Sequence, residues 1–250
     1  MFGRGRFLDG DVEDWHIECW AWLLRNSGGL EAIQKRPLIL PNADFFTPTN
    51  LEGEAKAQHI FAEVQSRTPL AGKPVQLEAQ QTLAGRVSTF GIVQNPGAVS
   101  GTFRMEKEAV IISYDPDMLQ HPVNLIATFA HELSHFLNLY SEEAPPGGWD
   151  LEEPATDVCV ACLGFGIFGA NSAFDYTQTQ DFEGQGWAFS KRGYITEAEW
   201  VFGIAMFAAL SGADLGTAKP YLKSHLWSQL KKAEKYMQKK NIVSAVLSYT

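Results

Sequence analysis

Cysteine is scarce in this chain. Only Cys19, Cys159 and Cys162 occur in 250 residues, an odd set that excludes a disulfide framework and fits a reducing compartment. "CVAC" at 159–162 has the spacing of half a zinc knuckle, but no second CxxC exists to complete four ligands. Inside an uncharged run, both thiols are expected to be small core residues. Positive charge is also in short supply. The formal net charge is −9, which argues against a general phosphate-backbone binder, because nonspecific nucleic-acid affinity comes from cations that neutralise phosphates. No nucleic-acid partner is expected. The one basic stretch, 219–240, interleaves its lysines with Leu222, Leu226, Leu230 and Met237 at helical spacing, the pattern of a solvated helix face.

Long apolar runs are missing too. The two uncharged stretches, 158–174 and 200–213, contain glycine and fall short of the ~20 residues a membrane span needs. They are expected to be buried helices, and no membrane partner is expected. The opening "MFGRGRFLDGDVEDW" has no apolar core of a secretory signal before acidic residues take over, so the expected location is cytoplasmic.

What is present is a globular composition, 45% hydrophobic and 12% aromatic, sufficient for one domain with a substantial core. Residues 11–26 read as an aromatic amphipathic helix stopped by "SGG". The run 36–40, "RPLIL", reads as a strand, 52–67 as a helix and 73–80 as a strand. Three β-like runs follow, "VSTFGIV", "GTFRM" and "AVIISY", separated by turn-forming residues. A helix is predicted over about 123–139, with Val123, Ile126, Phe129, Leu133, Phe136 and Leu137 as its apolar stripe and Pro122 in its first turn. After the breaker "SEEAPPGGWD" another helix is predicted from 152 to about 174, with later ones from 196 and 219. The expectation is one α+β domain over 1–250, with a helix-and-sheet part at 1–121 and a mainly helical part at 122–250.

The predicted helix at 123–139 contains His131-Glu132-Leu133-Ser134-His135. Residues four apart on a helix share a face, with Cβ atoms roughly 5–6 Å apart, so both imidazoles can reach one metal ion at about 2.0 Å. Glu132 lies beside the first of them, within reach of a water at that ion. Zinc brings the pKa of such a water near neutral, and a carboxylate at hydrogen-bond distance can take the proton as the oxygen attacks a carbonyl.

Two histidines leave a catalytic zinc site one protein ligand short. The extended HExxHxxGxxH pattern is excluded, because Asn138 and Ser141 occupy the positions it requires. Eighteen residues after His135 stands Glu153, at the predicted start of the next helix, and Asp157 follows four residues later on the same face. Glu142, Glu143 and Glu152 are competing carboxylates, but only Glu153 has the one-turn spacing to Asp157. A ligating histidine usually donates its other N–H to an acceptor, a task that suits Asp157.

Over residues 123–160 this pattern, HExxH followed by ExxxD, resembles the gluzincin metallopeptidases. The resemblance implies a zincin-like fold with a small mixed or antiparallel sheet, an HExxH helix and a helical C-terminal part. It further implies Zn²⁺ bound by His131, His135 and Glu153, with Glu132 as general base and Asp157 steadying a histidine. An edge strand within 101–114 is implied to bind extended substrate, and Tyr194 and His225 are candidates for stabilising an oxyanion. The whole chain is similar to small bacterial zincin-like proteins, which implies a fold and a metal but no substrate. The expected function is a zinc-dependent hydrolase acting on a peptide or protein substrate. The alternative is a non-catalytic zinc-binding protein whose cleft binds a protein partner, and His₂Glu also accepts other divalent ions.

Overall fold

The computed structural model describes residues 5–80, 101–106, 109–178 and 195–250. Helix is the dominant element, joined by a small sheet, so the class is α+β. Helix α1 spans Gly10–Asn26 and buries Trp15, Trp20 and Trp22. Its chain is turned by Gly28 at φ +87 into the short α2, Gly29–Gln34. Helix α3, Gly53–Gln65, buries Ala57, Ile60, Phe61 and Val64 on one face, as its spacing predicts.

The extended run 36–40 is not a strand of the sheet. Pro37 has no N–H to give to a ladder, and the Ile39 N–H donates instead to the Gly164 carbonyl at 3.0 Å. Leu38 and Ile39 are buried nonetheless, so their apolar character serves helix packing. The sheet itself is formed by β1 (Val75–Ala79), β2 (Gly101–Glu106) and β3 (Ala109–Tyr114), in the order β1-β3-β2. Strand β3 runs parallel to β1 and antiparallel to β2, with Ile112 opposite both Leu77 and Phe103. The predicted run "VSTFGIV" lies outside the described residues.

Strand β3 leads through a 3-10 turn, Pro116–Gln120, into α4, Pro122–Asn138. Asp115 caps that turn by accepting from the Asp117 N–H at 2.9 Å, and Pro122 holds the first helical position, where its missing N–H costs nothing. Strands β2 and β3 pack against α4, and Phe129 is seated edge-on between Phe61 and Tyr114, ring centroids 5.3 and 5.9 Å away. Burial of this order makes truncation of Phe129 worth about 3–5 kcal/mol.

The helix predicted from 152 to about 174 is two helices, α5 (Glu152–Cys162) and α6 (Gly166–Gln178). The break is at Gly164, whose φ is +92 and whose missing Cβ would lie 2.4 Å from the Pro37 carbonyl oxygen; no other residue fits there. Helix α7, Glu197–Ser211, opens with a capping box formed by Thr196 and Glu199. It is apolar almost all round and buried, as befits a helix packed against α2, α5, α6 and α8. Helix α8 (Ser224–Lys240) buries Leu226, Leu230, Ala233 and Met237 beneath its lysines, and α9 (Ile242–Ser248) ends the chain. No described helix is long and apolar enough to cross a membrane.

Candidate metal centre

Helix α4 carries His131 and His135 one turn apart, with ring centroids at 4.7 Å and planes nearly perpendicular. Helix α5 is brought alongside by a tightly folded connection. Gly147 and Gly148 have φ of +85 and +90, a 3-10 turn follows at Trp149–Leu151, and Glu152 and Glu153 then open α5. Carboxylates suit that position, facing the positive end of the helix dipole. From below, α1 secures the connection through two indole N–H groups, Trp15 donating to the Pro146 carbonyl at 2.8 Å and Trp22 to the Glu143 carbonyl at 3.1 Å.

The result is a triangle of ligand atoms. Nε2 of His131 and Nε2 of His135 are 3.1 Å apart, and Oε2 of Glu153 lies 3.2 Å from the first and 3.5 Å from the second. Four ligands placed tetrahedrally at about 2.0–2.1 Å from an ion have edges of about 3.3 Å. The donor set, two imidazole nitrogens and one carboxylate, therefore fits a divalent ion such as zinc in both chemistry and spacing. Among the described residues this is the one cluster of three or more such groups close enough to share an ion.

The far side of each ring is also engaged. Nδ1 of His131 is 2.9 Å from Oδ1 of Asp157, whose Oδ2 accepts the Ile195 N–H at 3.1 Å. Asp157 thus pairs with His131 rather than His135, and the chain entering α7 is tied to it. Nδ1 of His135 is 3.2 Å from Oε1 of Glu152 and 3.4 Å from the Thr156 hydroxyl, which accepts from Asn138 Nδ2 at 3.2 Å. Glu152, a competitor for the third ligand position from sequence, sits instead on the opposite nitrogen from the triangle. Glu143 is drawn away by Arg25, 3.3 Å distant.

These contacts shape the titration of the metal-free cluster. Burial opposes charge on His131, yet hydrogen bonds to Asp157 and Glu153 outweigh it and raise the ring well above its ordinary value. Burial likewise opposes charge on His135, but Glu152 and Glu153 lift it to about 9. Glu153 is held well below the usual carboxylate range, since the two histidines overcome its burial. Glu132 is buried, and that burial raises its pKa despite the pull of the neighbouring histidines.

His225 lies on α8, half a side chain exposed, with Nε2 3.1 Å from both carboxylate oxygens of Glu197. Tyr194 lies outside the described residues. Cys159 and Cys162 are core residues of α5, the first pushed up to about 12 and the second to about 11 by burial. Sequence reasoning did not foresee Thr156 and Ile195. A backbone N–H carries no signature in a sequence, and Thr156 became legible only once α4 and α5 lay side by side.

Compared with protein-family models, with curated proteins and with solved structures, the chain matches none.

Proposed function

We propose that the protein is a zinc-dependent hydrolase, and that its substrates are peptides or proteins. The observation that carries this reading is the triangle of His131, His135 and Glu153, whose edges of 3.1, 3.2 and 3.5 Å suit one tetrahedral ion. Bound there, zinc would act as a Lewis acid on a carbonyl oxygen and bring the pKa of water near neutral.

The chain's own residues supply the remainder. Asp157 accepts the Nδ1 proton of His131 and so keeps the Nε2 lone pair turned toward the ion; Glu152 and Thr156 do the same for His135. Glu132 sits in the same helical turn as the ligands, and its raised pKa suits a base that takes a proton from water and delivers it to the leaving amine. Strand β2 is an outer strand of the described sheet and packs against α4, which supports its use as a pairing edge for an extended peptide. The order of sheet, 3-10 turn, HExxH helix and glutamate helix supports a zincin-like arrangement. We place the protein in the cytoplasm, on its sparse and buried thiols.

Elemental analysis of the purified protein tests the metal, with one zinc per chain expected and none in Glu153→Ala. Turnover of a peptide library, abolished by a chelator and by Glu132→Gln, tests the hydrolysis. Zinc without turnover would leave a zinc-binding module in place of an enzyme.

A further inference from the structure

Helix α1 sends two consecutive side chains to different supports of the metal triangle. Trp15 holds the connection before α5 through the Pro146 carbonyl. His16, wholly buried, turns to α7, where its ring meets Phe202 edge-on with centroids 5.5 Å apart and its Nε2 lies 3.3 Å from Oε1 of Glu199. The tautomer follows from the other nitrogen. Nδ1 is buried with no hydrogen-bond partner among the described residues, and a buried N–H without an acceptor is costly, so the proton sits on Nε2 and is donated to Glu199.

The start of α7 does not need that bond. Thr196 and Glu199 complete a capping box by themselves, Oε2 of Glu199 accepting the Thr196 N–H at 2.8 Å and the Thr196 hydroxyl at 2.6 Å. What His16 adds is a fixed position for the first turn of α7 relative to α1. The residue before Thr196 is buried Ile195, whose N–H donates to Oδ2 of Asp157 at 3.1 Å and so leaves Oδ1 directed at Nδ1 of His131, 2.9 Å away. Hydrogen bonds weaken steeply with misalignment, so a shift of Ile195 would turn the Asp157 carboxylate away from its histidine.

We propose that His16 and Glu199 are positioning residues of the metal centre: by fixing the entry to α7 they set, through Ile195, the orientation of Asp157 and hence of His131. This rests on the zinc-hydrolase reading for the ion that His131 receives. Four elements, α1, α7, α5 and α4, are joined in that order by hydrogen bonds and one stretch of backbone.

The test measures the zinc affinity of the full chain by competition with a chromogenic chelator, a readout independent of turnover. His16→Phe removes the donor and keeps a ring between Trp15 and Phe202. Affinity is expected to fall about three- to tenfold, short of the about 10–100-fold that losing a direct partner of a ligand brings. In the Asp157→Ala background the same substitution is expected to change affinity less than about twofold, since residues that act through one another are not additive. His16→Gln can still donate an N–H to Glu199 and is expected to keep the affinity of the parent chain. Parental affinity in folded His16→Phe, an equal loss with and without Asp157, or a loss in His16→Gln as large as in His16→Phe overturns the positioning role and leaves the metal site standing. If His16→Phe does not fold, Glu199→Gln takes its place in the same two backgrounds with the same expected outcomes, because it keeps a capping-box residue but has one oxygen to share between Thr196 and His16. A chain that takes up no zinc overturns both the positioning role and the hydrolase reading.

Discussion

Asp157 stands between two elements: one carboxylate oxygen lies 2.9 Å from Nδ1 of His131, and the other accepts the backbone N–H of Ile195 at 3.1 Å. His131 on α4 and the entry to α7 are thereby joined through a single side chain of α5. The α7 entry is itself held, by the Thr196–Glu199 capping box and by buried His16, whose Nε2 is 3.3 Å from Glu199.

Asp157→Ala removes the acceptor for His131 without touching the metal triangle. Zinc affinity is expected to fall about 10–100-fold, with one site per chain retained, as read by competition with a chromogenic chelator. Unchanged affinity would mean that His131 needs no help to keep its orientation.

Proton release should accompany zinc uptake. In the metal-free chain the carboxylates raise His131 well above its ordinary value and His135 to about 9, so protonation of the cluster competes with an ion for the same nitrogens. Affinity is expected to rise with pH until about 9, and calorimetry in buffers of different ionisation enthalpy should report net proton release on zinc uptake at pH 7.

The same shifts set the pH dependence of stability without metal. A raised histidine stabilises fully below its unfolded value of 6.5, and that contribution is lost as pH rises through about 9. Glu153 is lowered, so its contribution is present above the unfolded value of 4.5 and is lost at lower pH. The metal-free chain should therefore lose thermal stability between pH 6.5 and 9, and zinc should raise Tm more at pH 8 than at pH 6. A zinc increment that shrinks with rising pH would contradict this.

The three thiols are buried, and burial raises the pKa of each, Cys159 to about 12 and Cys162 to about 11. Since only the thiolate attacks, an aromatic disulfide reagent at pH 8 is expected to modify none of them in the folded protein and all three after denaturation. Rapid labelling in the native state would show that α5 opens.

Gly164→Ala puts a Cβ into left-handed backbone and 2.4 Å from the Pro37 carbonyl oxygen. The expected loss is about 2 kcal/mol or more, a fall in Tm of about 4–8 °C, measured on the metal-free protein so that zinc does not mask it.

Local rules reached far into this chain. The apolar spacing of α3 was readable because it buries Ala57, Ile60, Phe61 and Val64 on one face, and HExxH followed by ExxxD named His131, His135, Glu153 and Asp157 of the cluster but not Glu152, Thr156 or Ile195. The α5–α6 break was not readable, since residues 154–170 are buried on every side and their apolar run shows no change of period at Gly164. The segment around Leu38 and Ile39 looked like a strand because burial on a helical layer asks for the same residue types as burial in a sheet. Whether such a run joins a ladder depends on where Ile39 finds an acceptor, and that partner, Gly164, is over a hundred residues away. Glu152 differed from Glu153 only in which way the first turn of α5 faced.

Trp15 and Trp22 secure the connection before α5 through its carbonyl oxygens, at Pro146 and Glu143. Every amino acid offers that same oxygen, so the anchorage is indifferent to side chains. The side chains of Ser141 and Glu142 can therefore change without removing either hydrogen bond.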